Sequence, residues 1–415
     1  MKILFVTHSF QSGGAEKYLE RLISHCHAQG HDCLLVGPND GPSPRGTDAL
    51  CAPVVRVRFG DAHLPSRTTT LGRYLRVIGK ILLNVWSIVR VINQNRPDVV
   101  FSNTSAVITG GIAARLCGVP HVWHIHENLD TFKLRFVLPT GLMTRTIAVL
   151  SDRIVFVSRL SLISVFPKGN AKAIVINNGV PIPPANETEL RGECFAVRES
   201  KQRIGFFGSS DHRKGVDVLI RAVSIVKQRF PDVILDIWGR VVNEDLRCLR
   251  DLLQDLYVSQ NVEFRGFCEN VSQHMANYDL IVVPSRAESF SLVAREAMAA
   301  AVPVVVTRCG GPEEFIIDGV DGWVVPVEDY RGLASAIETS LANPEQSLIM
   351  AQRARNKAVQ DFALTDKLDA ILKQLQSVAY FAEPMVCYRE HDQSHTTLVT
   401  SLMRFYSNCS QCLVS

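Results

Sequence analysis

The stretch PSRAESFSLVAREAMAAAVPVVVTRCGGPEEFIIDGVDGWVVP, residues 284–326, decides how the chain is expected to fold. A β-branched run at 280–283 ends just before it, a polar turn and an alanine-rich helical pattern follow, and a second β-branched run covers 304–306. Strands and helices that alternate in this way form parallel sheets with crossover helices. The stretch therefore predicts an α/β fold, and its strand-to-helix turns are where a ligand is expected.

The same alternation recurs along most of the chain. In the first half, the predicted strands cover residues 2–7, 33–36, 54–57, 98–102, 122–125, 154–157 and 174–176. In the second half, they cover residues 203–207, 233–238, 262–264, 280–283, 304–306 and 323–325. Helical patterns lie between these runs, so the sequence predicts two doubly wound domains with a cleft between them.

The boundary between the two domains is marked by NNGVPIPPANETEL, residues 177–190. This stretch is rich in Pro and Asn and has no apolar period, which is typical of a linker. We therefore expect a first domain at residues 1–180, a linker at 181–198 and a second domain at 199–380. The remaining residues, 381–415, form a polar tail to which the sequence assigns no role.

The composition is that of a soluble globular protein. Of the 415 residues, 47% are hydrophobic and 20% are charged, and the net charge of +3 does not indicate a nucleic-acid partner. Most of the eleven cysteines fall in apolar or helical segments, which is typical of a reducing compartment. The opening MKILFVTHSF is too short an apolar run for a signal peptide, and no stretch is long enough to span a bilayer. We expect a cytoplasmic protein.

The first candidate turn, HSFQSGGAEKYLERL at residues 8–22, follows the first predicted strand directly. Gly13 and Gly14 let a ligand approach the backbone closely, and the helix that begins near Ala15 presents free N–H groups to an anion. The turn lacks the GxGxxG spacing of dinucleotide-binding sites. A tight turn of purely structural purpose is the alternative here.

The second candidate turn, PHVWHIHENLD at residues 120–130, ends a predicted strand. By alternation His124 and His126 share one face, and His126 is expected at the strand's C-terminal tip. An imidazole there could hydrogen-bond a substrate hydroxyl or phosphate. The alternative is an ordinary polar strand end, and a zinc site would need further ligands that the spacing does not provide.

The third candidate turn lies in GFFGSSDHRKGVDVLIRAV, residues 205–223. Arg213 and Lys214 stand where the next helix begins, and two cations oppose the helix dipole there unless an anion is bound. The placement predicts a phosphate site. A solvated charge pair is the alternative.

The fourth candidate turn is within the opening stretch. Its helix is expected to begin near Phe290 to Leu292, which leaves Glu288 in the preceding loop and Glu296 one to two turns into the helix. The backbone N–H groups of Phe290, Ser291 and Leu292 then lie between two carboxylates. Carboxylates accept hydrogen bonds from ligand hydroxyls, while a helix start binds negative charge. The order of groups suits a sugar, a phosphate and a ribose in one ligand.

These turns, in this order, resemble those of the family-4 (group 1) glycosyltransferases of the GT-B fold. The donor-side signature of that family, E-x7-E, is matched by Glu288 and Glu296, and the resemblance covers residues 1 to about 375. It implies two Rossmann-like domains, with the acceptor bound by the first and a nucleotide-sugar donor by the second. It also implies retention of anomeric configuration, and neither a metal ion nor another cofactor.

The resemblance implies a role for each donor-side residue. Glu288 would contact hydroxyls of the donor sugar, and Glu296 would contact the ribose. Lys214 and Arg213 would bind the diphosphate together with the N–H groups of residues 290–292. Of these, Lys214 and Glu288 are expected to be catalytic as well as donor-binding.

Two positions in the first domain complete the implied site. Gly14 would let the glycine turn approach the diphosphate, and His126 would be a catalytic residue beside the reacting centre and the acceptor. The chain departs from the family at Gly208-Ser209, where members often carry Gly-Arg. Arg213 is expected to replace the missing cation.

Two other functions stay open at this point. The first is another enzyme of the same fold, such as a sugar-nucleotide epimerase, which would turn over a donor without an acceptor. The second is a non-catalytic scaffold that binds sugar nucleotides, which we would expect to have lost Glu288, Lys214 or His126. The donor is expected to be a UDP-, GDP- or ADP-sugar, and the sequence does not indicate which.

Two stretches of the first domain combine cations with apolar residues and contain no acid: residues 67–96, around LLNVWSIV, and residues 131–151. This combination favours an anionic membrane face. The alternative for residues 82–91 is a buried crossover helix with cations at its rim. We therefore expect a peripheral enzyme at the inner face of the cell membrane that glycosylates a glycan or lipid-linked acceptor in cell-surface polysaccharide synthesis.

Overall fold

A computed structural model describes residues 1–10, 13–39, 52–57, 71–129, 138–184, 202–241, 243–268 and 271–381. Several predictions lie wholly or partly outside these residues. They are residues 67–70 and 131–137 of the two basic and apolar stretches, most of the predicted linker, and the tail from residue 382.

The first domain is a parallel sheet covered by helices on both faces. Its described strands are β1 Lys2–Val6, β2 Asp32–Pro38, β3 Val54–Val57, β4 Val99–Asn103, β5 His121–Ile125, β6 Arg153–Phe156 and β7 Ala173–Val175. They pair in the order β3-β2-β1-β4-β5-β6-β7, so the chain reverses its direction of winding between β1 and β4. Such a switch point opens a crevice at the carboxyl ends of the strands, which is where ligands of this fold bind.

Five described helices belong to this part of the chain: α1 Gly14–Ala28, α2 Leu71–Asn95, α3 Ile108–Cys117, α4 Thr140–Leu150 and α5 Arg159–Val165. Helices α2, α3 and α4 pack on one face of the sheet, where Val85 and Ile88 of α2 lie in the core with Leu4 and Val100. Helix α1 packs on the opposite face through Leu19 and other apolar residues. Its polar first turn is thereby held at the carboxyl ends of the strands.

The second domain repeats the plan with a smaller sheet. Its described strands are β8 Arg203–Phe207, β9 Ile234–Trp238, β10 Val262–Gly266, β11 Leu280–Val283, β12 Val304–Thr307 and β13 Trp323–Val325, in the order β10-β9-β8-β11-β12-β13. Its helices are α6 Val216–Arg229, α7 Asn243–Asp255, α8 Val271–Met275, α9 Leu292–Ala299, α10 Tyr330–Ala342 and α11 Pro344–Phe362. The switch point lies between β8 and β11, so the predicted fold of two doubly wound domains is confirmed.

The last described helix, α12 Leu364–Phe381, crosses back to the first domain. Leu368, Ile371, Leu372 and Leu375 are buried in one core with α1. The crossing passes Gly179, where a Cβ would lie 2.6 Å from Leu364 Cα, so only glycine fits. The sequence-based boundaries placed these residues with the second domain, because local periodicity does not indicate which core a helix joins. No helix among the described residues is long and apolar enough to cross a membrane.

Candidate active site

The two switch points face one cleft of about 1810 Å³. Three of the four predicted turns line it, and they come from both domains. The predicted donor-binding residues that line the cleft are Gly14, Arg213, Lys214, Glu288, Phe290, Ser291, Leu292 and Glu296. Residues predicted from separate parts of the sequence are therefore brought together, and their roles stay predictions.

Lys214 and Glu288 form the central ion pair of the cleft. Lys214 Nζ donates to Glu288 Oε1 at 2.5 Å, and Ser285 Oγ donates to the same oxygen at 3.0 Å. Glu288 is buried, and a buried carboxylate requires hydrogen-bond partners of this kind. The pair places a cation and a hydrogen-bond acceptor side by side.

Gly215 makes this approach of the two loops possible. Its φ of +70° is in the left-handed region, and a Cβ there would lie 2.0 Å from Pro284 O. The glycine therefore satisfies both a backbone conformation and a packing requirement. It follows the short 3-10 turn His212–Lys214, so the two predicted cations lie just before helix α6.

Arg286 joins the same two loops from the other side. Its Nη1 and Nη2 atoms donate to the two carboxylate oxygens of Asp217, each at 2.8 Å, and Nη1 also donates to His212 O at 2.5 Å. Its Nη2 donates to Glu328 Oε2 at 3.0 Å, and its backbone N–H donates to Arg213 O at 2.7 Å. A planar guanidinium suits this fork-like geometry. Sequence reasoning did not single out Arg286, because its partners lie far away along the chain.

Ser209 stands where the resemblance leads one to expect arginine. Its hydroxyl donates to Asp211, whose other carboxylate oxygen accepts the backbone N–H of Arg213 at 3.1 Å. The guanidinium Nε of Arg213 lies 3.6 Å from that same oxygen. Ser209 thus organises the turn and supplies no charge.

The start of helix α9 lines the cleft. Ser291 is its N-cap and accepts a hydrogen bond from Ala294 N at 3.3 Å, so Glu288 precedes the helix and Glu296 lies within it, as predicted. The first N–H groups of a helix have no acceptor inside it, and they favour a negative ligand. Burial raises the pKa of Glu296, while Arg21 and Lys17 act in the opposite direction.

The glycine turn of the first domain meets this helix directly. A Cβ on Gly14 would lie 3.2 Å from Leu292 Cδ1. Across the same boundary, Ser289 Oγ accepts the backbone N–H of Asn128 at 2.8 Å. Glu314 accepts backbone N–H groups from the start of α5 in the first domain, at 3.0 and 2.6 Å. The two domains are thus in contact around the cleft.

Helix α1 contributes residues that sequence reasoning missed. Glu16, Lys17, Glu20 and Arg21 all line the cleft. The spacing of Lys17 and Arg21 from Gly14, three and seven residues, places the three on one helical face, and this signal was present in the sequence. Burial is the main cause that raises the pKa of Glu16 to about 7, and the nearby Glu127 and Glu20 add to it.

His126 is not among the described residues that line the cleft. Its Nε2–H donates to Asn103 Oδ1 at 2.9 Å, and its Nδ1 accepts from Asn178 Nδ2 at 3.4 Å. Burial lowers the pKa of His126 to about 4, so the ring is neutral at neutral pH. The ring of His124 lies against it in a tilted arrangement, with centroids 4.1 Å apart and an interplanar angle of 53°. A catalytic role for His126 stays a prediction.

Known proteins resemble both halves of the chain. Residues 12–182 match the family described as Glycosyltransferase Family 4, and residues 193–357 match Glycosyl transferases group 1. A GDP-mannose-dependent alpha-(1-6)-phosphatidylinositol monomannoside mannosyltransferase of Mycolicibacterium smegmatis is 35% identical over 383 residues, covering 87% of this chain and 94% of the relative. The chain belongs to the family-4 (group 1) glycosyltransferases.

A second relative and one solved structure also resemble this glycosyltransferase. The D-inositol 3-phosphate glycosyltransferase of Corynebacterium urealyticum is 33% identical over 201 residues, which are 45% of this chain and 47% of that relative. The crystal structure of Anabaena HepE in complex with UDP-glucose matches with a TM-score of 0.73 and 25% identity, and covers 91% of this chain and 100% of the other. The GT-B fold implied by the resemblance is therefore confirmed.

Proposed function

We propose that this glycosyltransferase moves a sugar from a nucleotide-sugar donor to a glycan or lipid-linked glycan, with retention of configuration and without a metal ion. The observation that carries the proposal is the Lys214–Glu288 pair beside the start of α9. It offers a cation, a carboxylate and free helical N–H groups within one cleft. A sugar diphosphate needs these three kinds of contact.

The donor is proposed to be a UDP-, GDP- or ADP-sugar. One structural neighbour was solved with UDP-glucose, and one relative is named as GDP-mannose-dependent, so both bases occur among similar proteins. Glu296, buried and inside α9, is the proposed partner of the ribose hydroxyls. Gly14 is proposed to admit the diphosphate, because it adds no side chain where the two domains meet.

The proposed chemistry follows from where charge develops. Breaking the bond between sugar and phosphate builds negative charge on the leaving diphosphate, and Lys214, Arg213 and the start of α9 are proposed to stabilise it. Because Glu288 is already paired with Lys214, its carboxylate is better suited to accept hydrogen bonds from sugar hydroxyls than to act as a nucleophile. We therefore propose that the acceptor hydroxyl attacks the anomeric carbon on the face that the diphosphate leaves, assisted by the leaving phosphate. This route replaces the two-carboxylate route of glycosidases.

A panel of UDP-, GDP- and ADP-sugars tests the proposal. We expect one donor to be hydrolysed slowly alone and consumed faster with acceptor, and we expect Glu288→Gln to slow both reactions. The product's anomeric configuration, read by NMR, tests retention, and unchanged activity in a chelator tests metal independence. Donor turnover that yields an epimeric sugar nucleotide would favour the epimerase. Binding without turnover of any donor would favour the scaffold.

The acceptor is proposed to lie in a membrane that contacts α2. Leu75, Leu82, Leu83 and Trp86 project from this helix and are between 49% and 59% exposed. Residues 75, 82 and 86 are separated by seven and four positions, so they share one helical face. The opposite face is buried in the core, so the crossover-helix interpretation accounts for only half of α2.

Charge at this face favours an anionic lipid surface. Arg76, Lys80 and Arg90 are exposed on one flank of the apolar stripe, and α2 contains no acidic residue. Each cation near such a surface contributes about 1 kcal/mol. Helix α4, in the same layer, exposes Leu142 and Val149. Both helices begin at the end of the sheet that forms the cleft, so the proposed contact brings a lipid-linked acceptor toward it.

Co-sedimentation with vesicles of phosphatidylglycerol tests this surface. We expect binding at low salt that weakens at high salt and is lost when Leu82 and Trp86 are both replaced by Ser. Ile349→Ser, which changes an exposed apolar residue on α11, is the matched control and should leave binding intact. Binding that survives the double replacement would exclude α2 as the contact.

A further inference from the structure

Helices α1 and α9 approach each other at two points in the cleft. Their first residues meet where a Cβ on Gly14 would lie 3.2 Å from Leu292 Cδ1. Further along, Arg21 Nη2 lies 3.9 Å from Glu296 Oε1. Lys17 stands between these points on the same face of α1, and its Nζ is 5.4 Å from the centroid of the Phe267 ring in the second domain. The first domain therefore presents two cations to the donor side of the cleft.

The cations of the 212–214 turn are each matched by a carboxylate of their own domain. Lys214 is hydrogen-bonded to Glu288 at 2.5 Å, and Arg213 is 3.6 Å from Asp211. Ser209 adds no charge. The diphosphate of a donor adds about two negative charges, and a buried negative charge requires compensation. Arg21 pairs across the domain boundary with Glu296, at the longer distance of 3.9 Å, and also interacts electrostatically with Glu20 of its own helix.

We propose that Lys17 and Arg21 are donor-binding residues that pair with the donor diphosphate from the first domain. The proposal rests on the nucleotide-sugar function proposed above. When the diphosphate is bound, Arg21 leaves Glu296, and that carboxylate becomes available to the ribose hydroxyls. The positive charge of the donor site is thus divided between the domains, and the site is complete only when α1 faces α9.

Calorimetric titration with UDP and with uridine tests the pairing, because the two probes share base and ribose and differ only in the diphosphate. GDP with guanosine, or ADP with adenosine, serves if the parent protein prefers another base. We expect Lys17→Gln and Arg21→Gln each to weaken UDP binding about tenfold or more, as for loss of one charge-assisted contact. We expect uridine binding to change by less than about twofold.

Matched variants separate charge from structure. Arg21→Lys keeps the charge and should recover most of the UDP affinity. Arg115→Gln removes an exposed arginine from α3, on the opposite face of the sheet, and should change neither titration. Thermal unfolding of each variant verifies that it is folded, and Gln keeps the long side-chain stem at both positions.

Two results would overturn the proposal. The first is a folded double variant, Lys17→Gln with Arg21→Gln, that binds UDP as tightly as the parent. The second is an equal loss of affinity for UDP and for uridine in the variants, because Arg21 would then act on the ribose through Glu296. A parent protein that binds no nucleoside diphosphate would instead contradict the proposed function itself.

Discussion

Lys214 and Glu288 meet at 2.5 Å although they are 74 positions apart in the chain. The pair is formed by two loops that each follow a strand at the switch point of the second sheet, and Gly215 lets those loops touch. One partner is suited to a sugar hydroxyl and the other to a phosphate. Because the two are already paired, they are placed before the donor arrives, which reduces the reorganisation that binding would otherwise require.

Lys214→Ala should lower kcat by about 100-fold or more, because it removes the charge proposed to stabilise the leaving group. It also leaves Glu288 without its cation in a buried position, so thermal unfolding should be measured alongside the steady-state kinetics. Turnover near that of the parent, in a folded Lys214→Ala protein, would remove this residue from the mechanism.

Glu288→Gln and Glu296→Gln should separate turnover from binding. Glu296 is the proposed ribose partner, so its replacement should mainly raise the donor KM. Glu288 is the proposed contact of the reacting sugar, so its replacement should also lower kcat. Steady-state kinetics at saturating acceptor distinguishes the two, and equal changes of both constants in both variants would contradict this division.

Arg286→Lys should raise the donor KM by about three- to tenfold, because a lysine keeps the charge and loses the fork that fixes both donor-side loops. Lys357→Ala is the matched control, since it breaks a 3.0 Å ion pair with Asp321 in the same domain outside the cleft lining. If Arg286 only stabilises the domain, the two variants should shift the melting temperature alike and leave KM unchanged.

Glu16 should make stability depend on pH. Its pKa is raised from 4.5 to about 7, chiefly by burial. The folded protein therefore holds a proton that the unfolded chain releases above pH 4.5, and stability falls as the pH rises through about 7. Relative to Glu16→Gln, the parent should lose on the order of 2 to 3 kcal/mol between pH 5 and pH 8. Parallel unfolding curves for both proteins over this range would contradict the assignment.

Local patterns predicted the fold because each strand is short, apolar and bounded by turn residues. Strand β3 at Val54–Val57 and strand β11 at Leu280–Val283 have the predicted bounds, whereas β2 continues to Pro38, two residues beyond the predicted end. Spacing also placed Glu288 before α9 and Glu296 within it. These features depend on residues that are close together in the sequence, so the hydrophobic periodicity predicts them directly.

Long-range contacts account for what the sequence did not predict. Arg286 joins Asp217 and Glu328, and the sequence between them does not indicate that they meet. The ring nitrogens of His126 are both bonded to asparagines, although its position at the strand tip favoured contact with the cleft. The partner helix for the apolar face of α12 is likewise set by the tertiary fold.

The return of α12 to the first domain determines how the protein can be divided for experiments. A fragment that keeps residues 202–381 carries an amphipathic helix without its partner, and Leu368, Ile371, Leu372 and Leu375 would then face water. In a fragment of residues 1–180, the apolar face of α1 would likewise be partly exposed, since α12 no longer packs against it. Conversely, a protease cut in the linker should leave both pieces associated. Cutting the chain between the two domains is thus not sufficient to separate them in solution.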